Sequence, residues 1–192
     1  MLIGQYSFGE ALANCIYLAY TKLRYPRARL VRLPVYIRGA KHLKYGTGLT
    51  MGYGCRFDLD GKGMTLAIGK NCKMNDRVHI VAHESVTIGD DVLMASNIFI
   101  SDTSHGDYGD NPSDPMQAPD NRPLETHAVN IGNRVWIGEG VCVLPGVELE
   151  DGCIVGANSV VTKSFPSNTV LAGVPARAIK RWNRISGTWE RV

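Results

Sequence analysis

The chain has 192 residues, 44% of them apolar and 20% charged, with a formal net charge of +3. This composition suits one globular domain with a sizeable core and excludes a disordered chain or a disulfide-stapled miniprotein. The charge balance is too even to imply nucleic acid by itself, and no uninterrupted apolar stretch is long enough for a spanning helix.

The opening residues lack a basic leader and place Glu10 before the apolar part, which argues against a secretory signal. Over residues 5–25 the spacing of Phe8, Leu12, Cys15, Ile16, Ala19 and Leu23 predicts an amphipathic helix. Ser7 with Glu10 reads as its capping box and Pro26 as its stop. Arg27, Arg29, Arg32 and Arg38 then interleave with Leu30, Val31, Leu33, Val35 and Ile37. Two readings stay open: solvated arginines on an ordinary packed segment, or a basic surface facing a membrane or an anionic substrate.

After residue 37 aliphatic residues recur every six positions. Ile68, Met74, Ile80 and Val86 keep strict period; Ile88, Met94 and Ile100 continue after a slip of two; Ile131, Ile137, Val143, Leu149, Val155 and Val161 resume later. Neither a 3.6-residue period nor simple alternation produces this pattern. A short strand plus a corner does, and the corners carry Gly, Asn and Asp, which tolerate left-handed backbone angles. Three hexads make a triangular coil of about 18 residues, stacked at about 4.8 Å per coil. Ile37, Leu43, Leu49 and Cys55 extend the period back less regularly, as a capping coil would. The inward positions accept only aliphatic or small side chains, which accounts for Cys72 and Cys153. With Cys15, Cys55 and Cys142 they are read as reduced thiols of a cytoplasmic protein, since no CxxC or CxxH pair occurs.

The period breaks at residues 106–128, rich in Pro and Asp, read as a loop extruded from one corner of the prism. Beyond the last coil, AIKRWNRIS reads as a short basic helix. The expected organisation is a helical, basic segment at 1–36, a β-helix at 37–178 and a C-terminal basic helix or tail at 179–192.

The Ile-Gly hexads resemble those of the hexapeptide-repeat, left-handed β-helix acyltransferases. The run from Val135 to Trp182 is similar to the C-terminal signature of the maltose/galactoside acetyltransferase branch, and residues 21–39 add a likeness to lipopolysaccharide O-antigen O-acetyltransferases. The resemblance implies a mainly β fold, a left-handed parallel β-helix, and a homotrimer with acetyl-CoA in the cleft between subunits. It also implies an acetyl-CoA-dependent O-acetyltransferase acting on a sugar hydroxyl of a surface polysaccharide or its precursor.

Acetyl transfer from a thioester needs a base, an oxyanion donor and a groove with cations for the phosphates. His105, where the long loop opens, matches the family's general base. Asn75, thirty residues earlier, matches an acceptor-sugar contact. His83 stands where galactoside enzymes carry an aspartate, which argues against a galactoside acceptor. Asp102 is expected to orient His105 or to be a plain turn residue. The resemblance assigns Trp136, Glu139, Gly140 and Ala157 to the thioester and pantetheine. It assigns Thr162, Lys163, Arg177 and Lys180 to the phosphates. No metal and no covalent nucleophile are expected.

Alternatives are acetylation of an antibiotic or free oligosaccharide, a zinc carbonic anhydrase on the same fold, and a non-catalytic scaffold. His79 and His83 are four residues apart, which fits the zinc spacing poorly. No nucleic-acid partner is expected. Peripheral contact with the inner face of the cytoplasmic membrane remains open.

Overall fold

The computed structural model describes residues 7–192; the signal-sequence reading and the first two residues of the expected helix fall outside them. The helix Phe8–Arg24 (α1) starts at the Ser7–Glu10 capping box, in which each residue's side chain bonds the other's backbone N–H.

A triangular parallel β-helix of about seven turns follows. Its first face stacks Leu30–Val31, Thr50–Met51, Lys73–Met74, Leu93–Met94, Trp136–Ile137, Ile154–Val155 and Thr169–Gly173. The second face runs from Tyr36–Arg38 to Val160–Val161, and the third from Leu43–Tyr45 to Glu148–Leu149. In register, Met51, Met74, Met94, Ile137, Val155 and Leu171 form one inward column. Phe57, Ile80, Ile100, Val143 and Val161 form a second. These side chains are essentially inaccessible to water. Core width falls from Met and Phe at the early coils to Val at the late ones. Met suits the early coils because a flexible thioether fills irregular space.

The turns of the third corner, and those of the first from Gly54 onward, each carry one left-handed residue. Along the first corner, between the first and second faces, these are Gly54, Arg77, Asn97, Gly140 and Asn158. A Cβ at Gly140 would also press on the Asn158 side-chain amide in the coil above.

Three expectations are corrected. The stack begins at Leu30, not at residue 37, because Leu30–Val31 pairs in parallel with Thr50–Met51. The long excursion is not structureless: Thr103–His105 and Leu124–Thr126 form an antiparallel ribbon that makes it an arm. Residues 179–192 are not a helix. Ala176–Asn183 and Thr188–Arg191 add two antiparallel strands to the first face. The exposed edge of Thr169–Gly173 has unpaired backbone groups, and the tail satisfies them. Trp182 and Trp189 then meet across the new pair with ring centroids 5.4 Å apart.

Cys55, Cys72 and Cys153 are buried and Cys15 is exposed. Burial pushes the three buried thiols above their ordinary pKa, so they pack rather than react.

Outside the second face, Asp58 is almost fully buried among Arg38, Arg56 and His79. Burial alone would raise its pKa, but Arg56, His79 and Arg38 together hold it below the usual carboxylate range. A depressed folded-state pKa stabilises the fold above the unfolded value, and that gain is lost as pH falls through the folded one. Asp58→Asn is therefore expected to flatten the acid limb of a pH–stability curve. Ile137→Ala should cost about 2–5 kcal/mol in urea unfolding, since the stacked column cannot collapse around the void.

Candidate active site

The predicted residues fall into two groups on opposite edges of the second face. At its far edge, the second corner, the chain leaves the coil four times: at residues 39–42, 60–64 and 83–85 and in the arm. These excursions follow one another coil by coil. The slip of two in the hexad period was the sequence signal of the one at 83–85.

His105 lies on the arm's ribbon opposite Leu124, and its side chain is exposed. The arm is organised from within. Tyr108 donates its hydroxyl hydrogen to the His105 carbonyl at 2.7 Å. The Arg122 guanidinium donates to Tyr108 Oη and to the carbonyls of Pro115 and Gln117. Asp107 accepts the N–H groups of Gly109 and Asn111, which hold its pKa below the carboxylate range. No spacing or motif singles out Arg122 or Tyr108, because their partnership depends on how the arm folds.

Asp102 has another role than the one expected. It is completely buried, and its carboxylate accepts the N–H groups of His83 (3.0 Å), Glu84 (2.8 Å) and Ser85 (2.9 Å). The His105 ring is not among its hydrogen-bond partners. Its own carbonyl accepts from His127 N–H at 2.8 Å, which closes the root of the arm. Asp102 thus ties the His83 corner to the coil that carries His105. Half-buried His83 also borders a cavity of about 370 Å³ with Arg38, Lys41, His42 and Asp60.

The second group runs up the first corner: exposed Asn75, then Glu139 and Gly140, then exposed Ala157. Here corner N–H groups are capped by the side chain one coil above. Asp76 Oδ1 accepts Tyr53 N–H, Ser96 Oγ accepts Asp76 N–H, and Glu139 Oε2 accepts Ser96 N–H. The next rung would cap Glu139 N–H, but the residue above is Ala157, which has no acceptor. Among the described residues nothing accepts from Glu139 N–H, whereas Gly140 N–H is spent on the Ser96 carbonyl at 3.0 Å. The corner therefore leaves the Glu139 N–H without an acceptor, and the Ala157 N–H above it likewise.

Trp136 is half exposed on the first face, away from His105 on the arm. Its register neighbours are Leu93 below and Ile154 above, so an apolar stripe flanks the free donor. At the top of this stripe Arg177 pairs opposite Ala172 and Lys180 opposite Val170, which sets two cations at its end. Thr162 and Lys163 sit elsewhere, above the second corner, with Lys163 Nζ 5.7 Å over the Phe165 ring. Five residues of extended chain separate the two corners, roughly 15 Å.

A concavity of about 550 Å³ lies on the third face beside Glu148 and Asp151 and holds none of these residues. Among the described residues no three His, Cys, Asp or Glu side chains form a group able to hold a metal ion. No helix among them is long and apolar enough to cross a membrane.

The family description "Bacterial transferase hexapeptide (six repeats)" matches residues 128–163. The chain is 47% identical over 175 residues to a putative lipopolysaccharide biosynthesis O-acetyl transferase, WbbJ, of Escherichia coli K12, covering 89% of this chain and 88% of that one. It is 31% identical to a galactoside acetyltransferase solved in complex with coenzyme A, with a TM-score of 0.57 over 83% of this chain and 64% of that one. An N-acyltransferase of Bacillus cereus, AntD, shares the fold with a TM-score of 0.70 at 20% identity, over 87% of this chain and 91% of that one.

Asp102→Ala would leave the His83, Glu84 and Ser85 N–H groups without their acceptor and is expected to cost about 1–3 kcal/mol in chemical denaturation.

Proposed function

The chain belongs to the hexapeptide-repeat acetyltransferases, in the branch that includes the galactoside enzymes, and on that premise we propose that it moves an acetyl group from acetyl-CoA to a sugar hydroxyl of lipopolysaccharide O-antigen or its precursor. The observation that carries this reading is the broken ladder at the first corner. Free N–H groups at Glu139 and Ala157 beside an apolar stripe, ending in cations, suit a thioester with a pantetheine arm and phosphates. The acceptor class rests on the full-length likeness to the E. coli relative.

In this reading Arg177 and Lys180 neutralise phosphates, with Thr162 and Lys163 contributing from another edge. Trp136 packs along the pantetheine arm, and Ala157 leaves it room. Asn75 and His83 hold the acceptor sugar. The neutral His105 imidazole takes the proton of the acceptor hydroxyl as its oxygen attacks the thioester carbonyl carbon. The Glu139 N–H stabilises the resulting oxyanion. When the oxyanion collapses, the C–S bond breaks, and the imidazolium returns its proton to the departing thiolate. The steps run in one ternary complex without an acyl-enzyme.

His105 and the Glu139 donor lie roughly 15 Å apart across the second face in one chain, too far to meet on one substrate. A homotrimer that sets the arm of one copy against the first corner of the next brings them together.

The test is thiol release from acetyl-CoA with lipid-linked O-antigen sugars as acceptors. His105→Ala is expected to lower kcat about 10²–10⁴-fold while coenzyme A binding is retained. Equal rates would remove His105 as the base, and release only with an antibiotic acceptor would move the reading to xenobiotics. Ala157→Tyr, at an exposed position, should raise KM for acetyl-CoA about tenfold with the thermal midpoint unchanged.

A further inference from the structure

The helix α1 is inverted relative to an ordinary surface helix. Its protein-facing side is Ala13, Asn14, Tyr17, Tyr20 and Thr21. Thr21 is fully buried there, accepting Val31 N–H at 2.8 Å and donating to the Tyr17 carbonyl at 2.6 Å. The opposite side carries Phe8, Leu12, Ile16, Ala19 and Leu23, all exposed; Phe8 and Leu23 are 87% and 88% accessible. At 100° per residue these five side chains form one continuous stripe along the helix. A stripe of this length on a lone helix marks an interaction surface.

The charge around it identifies the partner. Residues 7–44 contain eight Lys or Arg against a single acidic residue, Glu10, a formal +7. Since the whole chain carries +3, the remainder carries −4. The N-terminal end of the prism is therefore strongly basic, and the rest is mildly acidic. Lys22 and Arg24 close α1, and exposed Arg27 and Arg29 follow it. A second copy of this chain would bring the same +7 end against its own kind in any arrangement pairing α1 with α1. An apolar stripe bordered by cations instead matches the surface of an anionic phospholipid bilayer.

We propose that α1 and the basic residues after it dock the N-terminal end of the β-helix on an anionic membrane surface. The helix lies in the interface with its exposed stripe among the acyl chains, and the cations meet lipid phosphates. From Val31 to Met94 is three coil steps, about 15 Å, which sets the His105 arm that far above the surface. A saccharide carried on a membrane lipid would be presented at this height. That last consequence rests on the acetyltransferase reading; the docking itself does not.

The test is flotation of the full-length protein with vesicles of phosphatidylcholine alone or mixed with phosphatidylglycerol. Binding is expected to the mixed vesicles only, with release at high salt. Leu12→Glu with Ile16→Glu should lower partitioning about tenfold or more, leaving thiol release with a water-soluble acceptor and the molar mass unchanged. Lys22→Gln with Arg24→Gln should lower it on the order of tenfold through charge alone. Wild-type protein that floats with neither vesicle would overturn the proposal, as would unchanged flotation of both variants. A Leu12→Glu/Ile16→Glu variant whose molar mass falls, with no vesicle binding by wild type, would assign the stripe to a second copy. Flotation reads no catalysis, so its failure leaves the acetyltransferase reading standing, and the reverse.

Discussion

Stacking imposes one demand that the rest of this molecule answers: every corner of every coil turns its backbone N–H groups outward at strand spacing. The strands satisfy themselves through their ladders, and corner N–H groups such as those of Asn71, Arg134 and Gly140 reach carbonyls of the coil below, but the N–H just before each of them does not. The chain solves this with side chains one coil up. On the third corner Asp90 Oδ1 accepts Lys70 N–H, Asn133 Oδ1 accepts Asp90 N–H, and Asp151 Oδ1 accepts Asn133 N–H. Asp, Asn and Ser at corners therefore serve twice, shaping the turn and capping the turn below. The Asp151 carboxylate is held below the ordinary range chiefly by the Asn133 backbone N–H and then by the Asn133 amide, as expected of such a cap.

The same rule locates the chemistry. Where the ladder is complete, a corner is inert. At the first corner the rung above Glu139 is Ala157, and the uncapped N–H faces outward beside Trp136. Elsewhere, extra chain is inserted instead, always at the second corner, and buried Asp102 absorbs the consequence by capping three N–H groups at once. Both departures from the regular hexad coincide with the residues proposed for function. A regular solenoid is a scaffold, and its irregularities are free to hold substrates.

The two ends of the stack are protected differently. The C-terminal edge of the first face is covered by the tail, which continues the sheet as two antiparallel strands. The N-terminal edge strand Leu30–Val31 lies against α1, where Thr21 takes up the Val31 N–H. Covering that edge uses only one side of the helix, and the apolar remainder faces outward amid the chain's concentrated positive charge.

The sequence by itself determined the β-helix, because a six-residue period with left-handed corner residues fits few other backbones. It also determined α1 through its capping box, the position of the extruded arm, and His105 at the arm's root. Tertiary structure decided the rest. AIKRWNRIS, residues 178–186, reads as a helix locally, but an unsatisfied sheet edge outweighs local preference. Asp102 sits three residues from His105, yet its carboxylate turns to a corner seventeen to nineteen residues back, a contact that only stacking creates. Trp136 stays on the first face while His105 leaves the coil on the arm, a separation set by the residues inserted between them. Periodicity along a chain fixes which side chains point inward. Which outward side chains become neighbours depends on how many residues each coil spends at its corners, and that count is settled only when the coils stack.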